Sequence, residues 1–230
     1  MGKGFSPLTP WLDRRDSLTS FIDLSTRKPN EELGGFVALD ISVPIYESIN
    51  LPAQSLSQKW NAMSDYISQA LQIIHADKPL WLDREEVHMI KEQLGEPPTH
   101  CYPIYIFSVG AVEKERPVYI GKTSSENGRF SGGHIVCTKL HQPQYEGLQK
   151  RLYLGCVMLL DQNSEYLPLE WVHPYADAEM LLNDIEAHLI YHFKPEFNTL
   201  LTKKPVAKFR TQIHIQNMSG FSEFLNDVFV

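Results

Sequence analysis

Two short runs rich in β-branched and aromatic residues, joined by a polar turn, constrain the fold of this chain more than any other feature. The first run is CYPIYIFSVG at 101–110, the turn contains EKER at 113–116, and the second run is PVYIG at 117–121. Runs of this composition favour extended backbone, and a short polar connection between them predicts an antiparallel β-hairpin. We therefore expect Tyr105 and Tyr119 to lie together on a sheet.

The residues that follow alternate between helix and strand patterns. A short helix is predicted from His134 to Leu140, and a third strand for KRLYLGCVMLL at 150–160. DAEMLLNDIEAHLIYHF at 177–193 has the pattern of a helix with Asp177 as N-cap, and Pro195 prevents its continuation. The sequence thus predicts an α/β protein of the α+β type, with a small central antiparallel β-sheet flanked by helices.

The first hundred residues have a weaker and mainly helical pattern. Helices are predicted at 16–24, at 55–76 and at 83–95, the last with Asp83 as its N-cap. GFVALDISVPIYE at 35–47 has the composition of a strand.

A change of texture at EPPTHCYP, residues 96–103, suggests a domain boundary. We therefore predict three parts. They are a mixed, mainly helical N-terminal extension at 1–98, a central domain at 99–202, and a C-terminal appendage of strand and helix at 203–230.

The segment RPVYIGKTSSENGRFSGGH at 116–134 begins like a strand and then brings glycine and positive charge together. Its glycines and cationic residues are Gly121, Gly128, Gly132 and Gly133 with Lys122, Arg129 and His134. Glycine allows close approach of the backbone to a ligand, and Arg and Lys are the side chains that best meet phosphate oxygens. This combination predicts a binding site for an anionic ligand.

Charge is unevenly distributed along the chain, which carries −7 overall. Residues 114–151 hold seven Lys or Arg against three Glu, a net of +4, whereas residues 152–202 hold one Lys against eight acids, a net of −7. The overall negative charge argues against a general polyanion binder. A basic segment beside an acidic one suits a site that holds phosphate on one side and a cation on the other, and ordinary surface charge explains the pattern equally well.

Composition indicates an ordinary globular protein, with 43% hydrophobic and 21% charged residues among 230. No apolar run reaches the roughly 18 residues of a membrane helix, and the opening residues lack the apolar core of a signal peptide. We therefore expect a cytoplasmic protein without a membrane partner. Cys101, Cys137 and Cys156 lack C-x-x-C spacing, which predicts reduced structural thiols.

Glu186 falls in the apolar stripe of the predicted helix at 177–193. A buried carboxylate is costly unless something pairs with it. Two partners are open: Arg129 in a structural ion pair, or a metal ion. Tyr105 and Tyr119, each taken alone, fit a packing role at least as well as a catalytic one.

Taken together, these residues resemble the GIY-YIG nuclease superfamily. The first triad stands as Pro103-Ile104-Tyr105 and the second as Tyr119-Ile120-Gly121, followed in order by Arg129, His134, Glu186 and Asn198. The resemblance covers residues 102–201 and departs at Pro103, where the family usually has Gly.

The resemblance implies an endonuclease that hydrolyses phosphodiester bonds in DNA with one metal ion. Glu186 would hold Mg²⁺ or Mn²⁺ as a lone carboxylate ligand. Tyr105 would activate the attacking water, its phenol acidified by the metal and by a cation such as Lys122. Arg129 would neutralise charge that builds on the phosphate.

The remaining positions would orient the substrate. Tyr119 and His134 would position water or phosphate, with His134 competing with Tyr105 as the base, and Asn198 would fix the helix end. The residues implied to contact phosphates of double-stranded DNA are Gly121, Lys122, Arg129 and Lys139. Residues 99–202 would be the nuclease domain. The resemblance does not extend to residues 1–98 and assigns them no role, so DNA specificity and oligomerisation are both open for them, and with the second a homo-oligomer.

Other functions remain open. The first is a catalytically inactive nucleic-acid-binding module of the same fold, although retained Tyr105, Arg129 and Glu186 argue for activity. The second is a metallohydrolase built on His188-x-x-x-His192, although zincin-like sites need Glu directly after the first His. Within the family, a compact chain resembles restriction or defence endonucleases more than DNA repair nucleases, by analogy alone.

Overall fold

The computed structural model describes residues 6–18, 22–23, 33–51, 55–78, 81–111, 114–123, 130, 133–160, 166–203 and 211–230. The strands in these ranges are β1 (Ile22–Asp23), β2 (Leu33–Pro44), β3 (Ile104–Gly110), β4 (Arg116–Lys122), β5 (Gln149–Leu160), β6 (Tyr166–Pro168), β7 (Val172–His173), β8 (Thr211–Asn217) and β9 (Val228–Phe229). The α-helices are α1 (Thr9–Leu12), α2 (Leu56–Ile73), α3 (Arg84–Leu94), α4 (Ile135–Lys139) and α5 (Tyr175–Phe193). Short 3₁₀ helices occupy Ile45–Asn50, Pro143–Tyr145 and Leu169–Trp171.

Seven of these strands form one mostly antiparallel sheet flanked by helices. The strand order is β4-β3-β5-β2-β8-β9, and β6 pairs with the far end of β5. Within this sheet β2 and β8 run parallel, and β1 and β7 form a separate parallel pair. The predicted α+β class is confirmed, with a sheet larger than the sequence suggested.

The predicted hairpin and the third strand are both confirmed. β3 pairs with β4 so that Tyr105 lies opposite Gly121 and Phe107 opposite Tyr119. On its other side β3 pairs with β5, where Leu154 lies opposite Tyr105. Hydrogen bonds from two neighbours therefore hold the strand that carries Tyr105.

Alternate residues of β3 face opposite sides of the sheet, and each side has its own core. Ile104 and Ile106 belong to the main core, which also contains buried residues of α2 and α5. Tyr105 and Phe107 belong to a second core, closed by residues of α4 such as Val136. None of the helices within the described ranges is long and apolar enough to cross a membrane.

The first helix of the chain is not where the sequence predicts it. The predicted helix at 16–24 is wrong, because residues 16–18 are not helical and 22–23 form β1. The helix near this segment is α1, which begins before it with Pro10 in its first turn, where proline loses no hydrogen bond.

Two predicted N-caps have different outcomes. Asp83 is the N-cap of α3 and forms a reciprocal capping box with Glu86, as its position indicated. Asp177 is not the N-cap of α5, because that helix begins at Tyr175 after Pro174. Asp177 lies in the first turn instead, where a carboxylate favours the positive end of the helix dipole.

The predicted division at residues 98 and 202 stays a prediction, but strands from all three parts share the sheet. β2, from the first part, lies between β5 of the second and β8 of the third. Its pairing with β5 runs from Gly34 opposite Leu160 to Pro44 opposite Arg151. The first part therefore supplies an interior strand as well as α2 and α3.

Candidate functional site

Tyr105 lies at the centre of a cluster of rings on one face of the sheet. Its ring is fully buried, and centroid distances of 5.2 to 6.0 Å separate it from the rings of Phe107, Tyr119, Phe130 and His134. We call these five residues the aromatic cluster. Tyr119 is half-buried and stacks on Tyr105 at an interplanar angle of 30°. The expected meeting of the two tyrosines is confirmed.

His134 connects the aromatic cluster to α4. As N-cap of that helix, its Nδ1 accepts a hydrogen bond of 3.2 Å from the backbone N–H of Val136. Its Nε2 lies 3.2 Å from the phenol oxygen of Tyr105. A neutral imidazole that accepts at Nδ1 carries its proton on Nε2, so His134 donates to Tyr105. This geometry directs the Nε2 proton of His134 at the phenol oxygen of Tyr105 and engages the Nδ1 lone pair that His134 would need to act as a base.

Gly121 allows the two tyrosines to approach β4. A Cβ at this position would lie 2.6 Å from Cζ and Oη of Tyr105 and 2.8 Å from Cε1 of Tyr119. Real Cβ atoms do not approach other heavy atoms so closely. The glycine that the sequence marks as part of a ligand site therefore creates the space for the phenol group of Tyr105.

We expect Gly121→Ala to move both rings and to lower the free energy of unfolding by roughly 1–3 kcal/mol, the usual cost of overpacking a core. Urea denaturation of the two proteins measures the change. Ile120→Val is a suitable control, because Ile120 is buried in the other core and its shortening creates no overlap. A Gly121→Ala variant as stable as the wild type would show that the rings move aside at no cost.

Lys122 and Glu186 lie on facing elements. Lys122, at the end of β4, donates from Nζ to Oδ1 of Asn183 on α5. Glu186 follows Asn183 by three residues, and residues three apart share one side of a helix. Glu186 therefore lies one turn further along α5 than the contact between Asn183 and Lys122. Its side chain is half-buried. The more buried acid of α5 is Asp184, which is 7% exposed.

Asn198 holds the outer edge of β4. Its Oδ1 accepts from the backbone N–H of Ile120 at 2.9 Å, and its Nδ2 donates to the carbonyl of Ile120 at 2.8 Å. The backbone N–H of Phe197 donates to the carbonyl of Val118 at 2.9 Å. The segment after α5 thus pairs with the free edge of β4, next to the glycine and the tyrosine of the second triad. Asn198 therefore contacts the backbone of β4, and the orienting role implied for it stays a prediction.

We expect Asn198→Asp to destabilise the protein by about 1–3 kcal/mol, because a carboxylate oxygen would face the Ile120 carbonyl without a donor. Asn198→Ala removes both bonds without adding repulsion, so it should cost no more than the aspartate. Chemical denaturation of both variants at neutral pH tests the order. Wild-type stability in the aspartate variant would contradict the two-bond geometry.

The cations of the 114–151 segment have different surroundings. Arg129 lies outside the described residues. Arg116 forms an ion pair of 3.2 Å with Glu196, which removes it from the set of available cations. Lys139, in the last turn of α4, lies 5.0 Å from the ring centre of Phe197.

Pro103, the departure from the family triad, lies just before β3. Its carbonyl accepts a hydrogen bond of 2.9 Å from the backbone N–H of Thr123, so the pairing with the other strand extends past Lys122. Proline is tolerated at the first residue of a strand because it costs the fewest ladder bonds there. The substitution leaves Tyr105 in register with Gly121.

Among the described residues, no group of three or more His, Cys, Asp or Glu is arranged to hold a metal ion. His188 and His192 therefore have no third such ligand within those ranges. Burial and the neighbouring His192 lower the pKa of His188, which favours its neutral form. A lone carboxylate such as Glu186 still fits Mg²⁺, which retains several waters and binds through one or two carboxylates together with phosphate oxygens.

Sequence patterns did not identify several residues of this region. Phe107 and Phe130 complete the aromatic cluster, but a phenylalanine in an apolar run carries no signal for a site. Asp184 lies off the predicted stripe, where a buried residue is not expected, and an exposed asparagine such as Asn183 carries no signal for a site. The three cysteines are free thiols, and burial raises the pKa of each, which supports the predicted structural role.

Comparisons with known proteins do not extend this description. No family model, no curated protein and no solved structure matches the chain. The resemblance to GIY-YIG nucleases therefore rests on the ordered residues themselves.

Proposed function

We propose that the chain is a metal-dependent endonuclease of the GIY-YIG type, which hydrolyses phosphodiester bonds in DNA. The observation that carries the proposal is the hydrogen bond between Tyr105 and His134. The hairpin of β3 and β4 brings Tyr119 and Gly121 to the same phenol. Phosphodiester hydrolysis needs a base for the attacking water and positive charge near the phosphate. The aromatic cluster offers the first.

In the proposed mechanism, Tyr105 removes a proton from the attacking water. The N–H of His134 stabilises the phenolate before this step, while Tyr119 limits the orientation of the ring. Glu186 would hold Mg²⁺ or Mn²⁺, which when bound supplies positive charge to the phosphate oxygens. The resulting hydroxide attacks phosphorus and forms a new P–O bond as the bond to the leaving oxygen breaks, and the leaving oxygen takes a proton from solvent. Arg129 would neutralise the charge that builds on the phosphate oxygens.

Double-stranded DNA is proposed as the substrate from the local positive charge. Lys122 and Lys139 flank the aromatic cluster, on β4 and α4 respectively. Their contacts, an amide oxygen and an aromatic ring, leave each with its positive charge uncompensated by a described ion pair. The chain as a whole is acidic, so binding should be confined to this side of the protein.

A second function, a nucleic-acid-binding module without catalysis, is favoured by one observation. Tyr105 has 0% exposed surface, and a base must touch the water that it activates. Substrate would reach its phenol oxygen only after part of the aromatic cluster moved. A protein that binds DNA in the closed form and never opens would bind without cleaving.

Conversion of supercoiled plasmid to nicked or linear DNA distinguishes the two functions. We expect cleavage with Mg²⁺ or Mn²⁺ and its loss with a chelator. Binding of the same plasmid in a gel-shift experiment without any cleavage would support the binding module. The absence of both would reject DNA as the substrate.

A restriction or defence role in the cytoplasm is the biological setting that we propose by analogy with compact members of the family. Cleavage of defined duplexes, followed by mapping of the ends, would show whether cutting depends on sequence, as restriction requires. Equal cutting at every sequence would favour a repair or degradative role.

A further inference from the structure

A cleft of about 530 Å³ opens where β2 ends and β5 begins. Its walls include Tyr46, His141, Lys150, Arg151 and Phe221. The volume falls within the range of small-molecule and nucleotide-sized sites in proteins. None of these residues belongs to the proposed catalytic machinery.

The cleft carries positive charge without a matching acid. Lys150 and Arg151 are both half-buried, and no described residue forms an ion pair with either. Carboxylates are missing from the described lining, although two exposed acids are close in sequence to it, Glu47 in the 3₁₀ helix Ile45–Asn50 and Glu146 on a turn. An anionic ligand is therefore favoured.

The cleft also presents exposed aromatic surface. The side chain of Tyr46 is 76% exposed and that of Phe221 is 36% exposed. The guanidinium of Arg151 lies 3.4 Å from the ring centre of Phe221 and is held by hydrogen bonds of 2.7 and 3.0 Å to Oγ and the carbonyl oxygen of Ser42. Arg151 is thus fixed in position before any ligand arrives, which lowers the entropy lost on binding.

The cleft lies at the start of β5, where Lys150 is on the face of the sheet that carries the aromatic cluster and Arg151, the next residue, is on the other face. Lys150 and Leu154 are four residues apart on β5, so their side chains point to the same side of the sheet. Leu154 lies opposite Tyr105 on β3. Four residues of a strand span about 13 Å, close to the rise of four nucleotides in one strand of B-form DNA at about 3.4 Å each. Helix α4 lies between the two, with His134 before its first turn and His141 beyond its last.

We propose that this cleft binds a segment of single-stranded nucleic acid, with bases stacked on Tyr46 or Phe221 and phosphates on Lys150 and Arg151. Aromatic platforms beside a cationic groove are how proteins hold single strands without sequence preference. An acidic peptide would use the cations but would leave the two rings without stacking partners. The proposal rests on the proposed function only in that the single strand would be an unpaired stretch flanking the cleaved duplex, a few nucleotides from the cut bond.

Fluorescence anisotropy with a labelled twelve-nucleotide oligothymidylate, without divalent metal, tests the cleft separately from cleavage. We expect Tyr46→Ala to weaken binding about tenfold, the scale of one lost base-stacking contact. Lys150→Ala should also weaken binding and reduce its dependence on salt by about one phosphate contact. Trp81→Ala and Lys78→Ala are matched controls, because both side chains are exposed and lie outside the cleft.

The outcomes separate the two proposals. Unchanged affinity in both cleft variants, or no binding by the wild type, would overturn the cleft as a nucleic-acid site even if plasmid were cleaved. Competition by polyglutamate as effective as by unlabelled oligothymidylate would overturn it in favour of an acidic partner. Weaker binding in the cleft variants but not in the controls would support it, even if no plasmid cleavage occurred and the nuclease proposal failed. Thermal melts confirm that each variant is folded.

Discussion

Replacing Tyr105 by phenylalanine should reduce single-turnover DNA cleavage by more than about a hundredfold, the scale of a lost general base. The ring contacts with the aromatic cluster remain, and the phenol oxygen disappears. Stability should fall by only about 1 kcal/mol, since one hydrogen bond from His134 is lost. A large loss of activity with a small loss of stability is expected of a base, whereas a packing residue would tolerate phenylalanine.

Tyr145→Phe is the matched control for this change. Tyr145 is also fully buried, belongs to the same core, and donates one hydrogen bond of 2.7 Å to Glu196. Loss of the Tyr145 hydroxyl should lower the free energy of unfolding about as much as loss of the Tyr105 hydroxyl. It should leave DNA cleavage unchanged. Equal losses of activity in the two variants would indicate a general effect on the core.

The pH dependence provides a second test of Tyr105. A phenol acts as a base only after it loses its proton, so the wild-type rate should rise with pH and level off above the pKa of the group. Measurements over roughly pH 6 to 10 approach the ordinary phenol value from below. Residual activity in Tyr105→Phe should lack this rise, and an unchanged profile would assign the proton transfer to another group.

The sequence predicted the fold best where local patterns and tertiary packing agree. The hairpin, β5 and α5 have strong local patterns, and all three form, although α5 begins at Tyr175, before the predicted N-cap Asp177. The predicted helix at 16–24 is wrong because the spacing of its apolar residues is also compatible with non-helical backbone. Part of this segment forms β1, which pairs with β7 about 150 residues away in the chain. Sequence periodicity has no information about such a partner. The placement of β2 in the sheet interior depends on the same kind of long-range pairing.

Residues of the candidate site were predictable from the sequence where their type is uncommon beside a strand, as glycine and histidine are. Gly121 and His134 stood out beside a strand, and the structure brings both to Tyr105. In the structure Gly121 makes room for a ring and His134 caps a helix, and the predicted contacts of both residues with a ligand stay predictions. Phe107 and Phe130 were not predictable, because their role depends on which face of the sheet they occupy, and a bulge between Phe107 and Ser108 shifts that register.

The two nitrogens of His134 illustrate why the choice of base could not be made from the sequence. The pattern allowed either His134 or Tyr105. The cap at Val136 assigns Nδ1 as the acceptor, and this leaves Nε2 as the donor toward the phenol. A hydrogen bond at the start of a five-residue helix therefore favours Tyr105, the base that the resemblance implies, over the competing His134, and the assignment of the base stays a prediction.

Glu186→Gln should reduce metal-dependent cleavage by more than about a hundredfold, the scale of a lost main electrostatic contact. The amide keeps the volume of the side chain but not its charge, so the melting temperature should change little. Glu179→Gln is the matched control, because Glu179 is an exposed acid earlier in the same helix. Titration of Mg²⁺ against both variants should show a weakened metal dependence only at Glu186.

Asp184→Asn distinguishes Glu186 from the other acid of the same helix. Asp184 is the more buried of the two, and a buried carboxylate in a core is usually a structural group. We therefore expect Asp184→Asn to lower the melting temperature while the folded fraction keeps its metal dependence. If Asp184→Asn abolished cleavage while Glu186→Gln retained it, the metal ligand would be Asp184, and the carboxylate of Glu186 would belong to the surface of α5.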